Sequence, residues 1–432
     1  MNNKSEIPPI LVLSSLNPIE QDGELVSPRL HGRVEAYEPY APAMWREFLE
    51  AESDSLLEQS KAKTLAEFYL LKTADYLQGT PRDLNLWTER FNQAGEDIYG
   101  GIDRTEIAKI AVIELAELDG KATDDFVINT YKRLGSDNAG AEQDTSFEQL
   151  ASFKTMVLER YSDVDNIIRA LPEGPYTPED VRQLFAQVLG LMSHKDASWL
   201  EWKITNTVGN TMLNIVPETK EIDIPDGRQA VDTKAELFEF VLHEIAGHAQ
   251  RAVNGYKTGD VMMYRGLPSH IDFEEGFGVL LEYLVTGKSP EKIRDRYVGT
   301  ALATGAVDGY FMNRQELTDF TFRRQKAREL VRGKAFDVDR GMHVAKDDIK
   351  RIFRGGNGKS VTDAAGRITA QAVYNKDIVY YTGFIKAKKY ILEQLANGVE
   401  PSRLMDFLQA GKFDATNPLH LEYVSTVHGI SL

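Results

Sequence analysis

One hexapeptide constrains this chain more than any other segment: His243-Glu244-Ile245-Ala246-Gly247-His248, two histidines five residues apart with a glutamate directly after the first. In the commoner arrangement the histidines are four apart and share a helix face, so both rings reach one zinc ion while the glutamate polarises a water. Five steps of a regular helix instead rotate the side chains about 140° apart. A single wider turn of the π type brings them back towards one face, and Gly247, next to the second histidine, is placed to permit it. The plain alternative is an amphipathic helix whose histidines are surface residues or hydrogen-bonded core residues.

Composition sharpens the metal reading. The 432 residues include no cysteine, which excludes disulfide scaffolds, thiol catalysis, iron-sulfur clusters and thiolate zinc sites, so any zinc must be held by histidine and carboxylate. Only eight histidines are available, and His31, His194, His343, His420 and His428 have no partner pattern. A catalytic zinc needs a third protein ligand and an open position. A helix is expected over Phe273 to Leu284, where Glu275, Val279 and Glu282 share a face, and Gly276 and Gly278 are expected to let it pack on the histidine helix. Glu275 is the third-ligand candidate. The alternative is that Asp272 and Glu275 merely cap that helix. His270 is a candidate outer partner of the site, or simply structural.

The surrounding sequence sets the organisation. Residues 1–40, with Pro8, Pro9, Pro18, Pro28 and Pro39, read as an extended arm. Residues 41–195 read as a helical scaffold, with apolar residues at three- and four-residue steps over Ser60 to Leu77, Arg104 to Leu118 and Phe147 to Leu171. Its last helix starts where Thr177 caps, Pro178 fills the first position and Asp180 sits in the first turn. Residues 196–432 form the catalytic region. There a β-hairpin is expected over Thr207 to Ile224, turning at Pro217 to Lys220. The histidine helix follows, opened by Thr233 and Glu236 at capping-box spacing and closed at Asn254-Gly255.

Lys and Arg number 50 against 66 Asp and Glu, a formal charge of -16, which argues against a general nucleic-acid binder. Ile10 to Leu13 is too short for a signal-peptide core, and nothing approaches about 18 consecutive apolar residues, so the expectation is a cytoplasmic protein that does not span a membrane. The charge is uneven. Arg323 to Lys359 holds 12 basic residues against 5 acidic ones, a stretch on which an acidic peptide tail could dock or which is simply a solvated face.

His243-Glu-Ile-Ala-Gly-His248, then Arg265-Gly-Leu-Pro268, then Glu274-Glu-Gly-Phe-Gly278 resemble the H-E-x-x-x-H and E-G-L-A signatures of the tyrosine carboxypeptidase family, whose animal members include the microtubule-associated tyrosine carboxypeptidases. Arg351-Ile-Phe-Arg-Gly-Gly356 is similar to the family's R-V-F-R-G-G, Tyr374-Asn-Lys-Asp-Ile-Val-Tyr380 to its F-T-K-D-x-x-Y, and Ile98-Tyr99-Gly100 is a weaker echo. Phe277-Gly278 replaces Leu-Ala and Tyr374-Asn375 replaces Phe-Thr, changes that alter packing or pocket shape but spare the ligand candidate. The resemblance implies an α+β, mostly helical, gluzincin-like metallopeptidase with a small β-sheet beside the zinc helix. It also implies one Zn2+ per chain on His243, His248 and Glu275, with Glu244 as general base towards the zinc-bound water.

The substrate implied is a peptide or protein C-terminus ending in Tyr or Phe. A carboxypeptidase also needs a cation for the terminal carboxylate. Arg354 and Lys376, both in family-like motifs, are the candidates, with Tyr380 as a substrate or oxyanion donor. An exposed strand of the hairpin could hold an extended peptide. An endopeptidase or aminopeptidase on the same metal, and a non-catalytic peptide-binding regulator, are the competing readings. The retained Glu244 counts against the last.

Overall fold

The protein was analysed as a computed structural model that describes residues 19–21, 24–26, 84–118, 124–135, 146–207, 213–267, 269–353 and 360–432. Most of the arm, the segment Ser60 to Leu77 and Arg354 lie outside the described residues. The chain is mostly helical with small sheets, an α+β fold. In chain order the strands are β1 (Ile19–Gln21), β2 (Glu24–Val26), β3 (Lys203–Thr205), β4 (Asn214–Val216), β5 (Glu221–Asp223), β6 (Ser360–Thr362) and β7 (Ile368–Gln371). Two compact units are present, residues 1–143 with 291–381, and residues 144–290 with 382–432. Each is assembled from two separate stretches of chain. No helix among the described residues is long and apolar enough to cross a membrane.

In the first unit, β1 and β2 pair antiparallel, as do β6 and β7. Its main helices are Leu84–Tyr99, Arg104–Leu118, Asp125–Leu134, Glu291–Thr304, Arg314–Val331 and Val338–Ile352. Short polar residues start them: Asn313 accepts from the N–H groups of Gln315 and Glu316 at 2.9 and 3.0 Å while Glu316 accepts from Asn313 N–H, a complete capping box. Ile107, Tyr131, Tyr297, Phe320 and Ile349 are buried at the core. The basic stretch is only partly a surface. Arg324 and Arg328 lie inside this unit, paired with Asp295 and, for Arg328, with Glu114 as well. Three family-like motifs also meet here. Arg351 donates to the Asp377 carboxylate at 2.9 and 3.3 Å, Tyr374 N–H donates to Ile352 O at 2.7 Å, and the Tyr99 and Tyr374 rings meet edge to face at 6.1 Å.

The second unit carries the histidine helix. The expected hairpin is present, with β4 antiparallel to β5 around a 3-10 turn Pro217–Thr219 and a left-handed Lys220 at φ 55°. A third strand joins it: β3 pairs in parallel with β5, so the order is β3-β5-β4 and β5 is central. Ile222 and Ile224 are fully buried under this sheet. Helix Pro178–Lys195 opens on the Thr177 and Asp180 capping box, and Lys234–Val241 on that of Thr233 and Glu236.

Two helix boundaries differ from the sequence reading. Phe147 to Leu171 is not one helix but three, Ser146–Gln149, Ala151–Arg160 and Ser162–Ala170. The breaks fall at the buried Leu150 and Tyr161, the latter held through its hydroxyl by Gln409 at 2.9 Å. Nor does Asn254-Gly255 end the histidine helix, which runs on to Lys257. Gly255 is there for close approach, because a Cβ would lie 2.2 Å from Met263 O, and Asn254 donates to Gln409 O at 2.8 Å.

Candidate metal centre

The five-residue spacing is accommodated by a change of helix type. Lys234–Val241 is α, Leu242–Ala249 is π, and Gln250–Lys257 is α again. The wider repeat turns both rings to one side, with centroids 4.9 Å apart. Opposite them lies helix Ile271–Thr286. The two helices cross at glycines, where a Cβ on Gly247 would stand 3.1 Å from the Gly278 Cα and one on Gly278 would stand 2.8 Å from the His243 ring. The departure from Ala at position 278 therefore makes room for a histidine ring. Gly276 does not pack on the histidine helix as expected. It faces Gly383 of helix Ile378–Ala396, whose carbonyl carbon a Cβ would overlap at 1.8 Å.

Glu275 is not a cap. Its Oε2 lies 3.8 Å from His243 Nε2 and 3.6 Å from His248 Nε2, and the three ligand atoms all fall within 4.8 Å of one another. Asp272, the proposed capping partner, accepts from Lys386 at 2.7 Å and, within the first turn, from the N–H of Phe273 at 2.7 Å. Donors about 2.1 Å from a tetrahedral zinc stand about 3.4 Å apart. The two spacings to Glu275 need to close by only a few tenths of an ångström, and no pair in the set is more than 4.8 Å apart, so this set of two imidazoles and a carboxylate fits a zinc ion.

Beyond these three, each ring has a carboxylate on its other nitrogen. Glu282 Oε1 lies 2.7 Å from His243 Nδ1, and Glu274 Oε1 lies 2.7 Å from His248 Nδ1. The Glu274 hydrogen bond fixes the His248 tautomer and leaves its Nε2 facing Glu275, whereas Glu282 stands against His243 as a nearby charge, because His243 Nδ1 makes no hydrogen bond. Burial alone would lower the proton affinity of both rings. The Glu282 charge, helped by Glu275 and Glu244, holds His243 well above the usual histidine range, and Glu274 with Glu275 raises His248. A metal entering must displace those protons.

Glu274 is itself buried, which pushes its carboxyl up, but Lys412 at 2.7 Å together with His248 and His270 holds it well below the usual carboxylate range. His270, at 3.2 Å from Glu274 Oε2 and 2.7 Å from Leu267 O, is thus an outer member of the site. Lys412 arrives on a C-terminal segment strapped behind the histidine helix. Gln409 donates to Ala246 O at 2.9 Å, and fully buried Arg251 donates to Gly411 O at 2.9 Å and to Phe413 O.

Glu244 follows the first ligand. Desolvation raises its carboxyl pKa, opposed by His243, His248 and Arg228 and reinforced by Glu275, the direction that suits a group that takes up and releases a proton. Lys376, in the 3-10 turn Asn375–Asp377, and Tyr380, in the first turn of Ile378–Ala396, both belong to the first unit. Arg354 lies outside the described residues.

Reasoning from sequence did not identify Glu274 or Glu282 as partners of the rings, although the spacing 275 to 282 already put Glu282 on the ligand's face. Lys412 and Arg228 had no local signal at all. Comparison with curated proteins and with solved structures finds no match. A family model described as microtubule-associated tyrosine carboxypeptidase matches residues 214–427, a span that starts at β4 and contains all three ligand candidates and Glu244, so this part of the chain belongs to the tyrosine carboxypeptidase family.

Proposed function

We propose that this protein is a zinc-dependent carboxypeptidase that hydrolyses the last peptide bond of a cytoplasmic peptide or protein and releases Tyr or Phe. The observation that carries this reading is the convergence of His243 Nε2, His248 Nε2 and Glu275 Oε2 within 4.8 Å, in a part of the chain that belongs to a family of tyrosine carboxypeptidases. Zinc, when bound, supplies Lewis acidity towards a carbonyl and water. The chain does the rest. Glu244, half-buried beside the ligands, takes a proton from the attacking water and delivers it to the leaving amine. Glu274 keeps the His248 ring oriented, and Glu282 sets its charge beside His243. The edge strand β4 offers main-chain groups to an extended peptide. Arg354, Lys376 and Tyr380 are assigned to substrate contact on the strength of their motifs.

The reading is tested with peptides ending in Tyr or Phe, with free and with blocked C-termini, before and after chelation and zinc return. The expected result is release of the terminal residue from free peptides only, lost on chelation and restored by zinc. Equal cleavage of blocked and free peptides would identify an endopeptidase or aminopeptidase, and purified protein that neither binds zinc nor cleaves either peptide would identify a peptide-binding protein.

A further inference from the structure

Arg228 carries a charge that no carboxylate among the described residues neutralises by contact. It lies in the turn between β5 and helix Lys234–Val241, where its backbone N–H donates to Pro225 O at 3.2 Å. Its guanidinium stands over the Phe240 ring, 3.7 Å from the centroid, and its Nε is buried without a hydrogen-bond partner. Arg182, anchored to the start of the same turn through Ile224 O at 2.9 Å, is by contrast paired with both Glu179 and Asp226 at 2.7 Å. Arg251, Arg265, Arg294 and Arg324 also leave buried nitrogens unmet, but each of them stands against a carboxylate, so it is the missing counter-charge that sets Arg228 apart and points to an anion that binds.

Phe240 is four residues before Glu244, so a cation parked on that ring stands on the Glu244 side of the histidine helix. The Arg228 charge acts on Glu244, yet the two form no ion pair. A cation close enough to act on Glu244 but beyond ion-pair contact is placed to serve the residue next to the scissile bond, since one residue of extended peptide spans about 3.5 Å. The Phe240 ring covers one side of the guanidinium, and arginine holds a carboxylate through two hydrogen bonds made in the guanidinium plane.

We propose that Arg228 binds the terminal carboxylate of the substrate and so makes the site selective for free C-termini. This rests on the carboxypeptidase reading, and it gives to Arg228 the contact that the motifs assigned to Arg354 or Lys376.

The test measures binding separately from turnover. In the full chain carrying Glu244→Gln, calorimetry compares N-acetyl-Ala-Ala-Tyr with the same tripeptide as its C-terminal amide. The free acid is expected to bind about 10- to 100-fold more tightly. Adding Arg228→Gln should abolish that preference while leaving amide affinity unchanged, and Arg228→Lys should restore part of it. A free-acid preference that survives Arg228→Gln, no preference in Glu244→Gln alone, or equal weakening of both peptides, as for an oxyanion or purely structural role, would each overturn the proposal. The two readings fail separately. If the zinc-loaded wild-type chain cleaves neither peptide but the preference is present and vanishes with Arg228→Gln, the activity is wrong and Arg228 stands. If cleavage is confined to free acids and the preference survives Arg228→Gln, the activity stands and Arg228 is wrong.

Discussion

Both units bury charge, and they handle it in opposite ways. In the first, Glu114 has no exposed surface and is held by Arg294 and Arg328, while Asp295 is held by Arg324 and Arg328. Burial would lower the proton affinity of Arg328, but Asp295 and Glu114 drive it well above the usual range, and Asp295 is correspondingly lowered. The cluster is answered from within the chain. In the second unit Glu244, Glu274, Glu275 and Glu282 gather around two histidines, with Lys412 against Glu274. Three ligand atoms are turned towards a common point. A network whose charges all point at each other stabilises a fold, whereas one whose donors point at a shared space is built for a ligand.

The comparison can be broken by mutation. The largest expected effect is on turnover: Glu244→Gln should retain zinc and lose about 10²- to 10⁴-fold in kcat, the usual contribution of a general base, and full peptidase activity in that variant would remove Glu244 from its role. In the first unit Glu114→Ala strips the partner from two buried guanidinium groups and should destabilise the chain by about 3–5 kcal/mol, read by denaturant unfolding. An unchanged midpoint would show that the cluster is not structural.

Smaller effects separate ligands from their supports. His248→Ala should abolish stoichiometric zinc binding, whereas Glu282→Gln should weaken it by only about 10- to 100-fold; titration against a chelator distinguishes the two, and equal losses would make Glu282 a ligand. Thr233→Ala removes the cap of the histidine helix and should cost about 1 kcal/mol in thermal stability with zinc stoichiometry intact.

The smallest effect depends on pH. Burial, together with the neighbouring Glu282, pushes the Glu239 carboxyl up to about 7. A carboxyl whose folded pKa is raised favours folding while protonated, so its unfavourable contribution grows as pH rises from about 4.5 to about 7 and is complete above that. Glu239→Gln should therefore be more stable than wild type at pH 8, with the gap closing towards pH 4.5. A gap independent of pH would show that Glu239 titrates normally.

Much of the second unit was legible. The capping residues Thr177 and Thr233, the turn at Pro217, the need for a π turn and the helix face that carries Glu275 all follow from local rules, because caps, turns and helix faces involve residues a few positions apart. The parallel strand β3 was not legible, since its partner β5 lies beyond a turn and the edge strand β4, and parallel pairing leaves no short-range signature. Gly276 was read correctly as a close-approach residue and assigned to the wrong neighbour, Gly383 being more than a hundred positions away. The basic stretch misled for the same reason: its excess charge suggested a docking surface, while Arg324 and Arg328 are neutralised by acids remote in sequence.

The sequence by itself determined the chemistry available. Without cysteine, a metal here must rest on histidine and carboxylate, and the spacing from His243 to His248 demands a widened helix turn if both are to serve. Only the tertiary structure decided which carboxylates lie against the outer nitrogens of the two rings and that Lys412 reaches Glu274 from far along the chain. Ligand type and helix phase are set by neighbours along the chain, whereas the pairing of charges depends on which distant segments share a desolvated space, and packing alone brings them together.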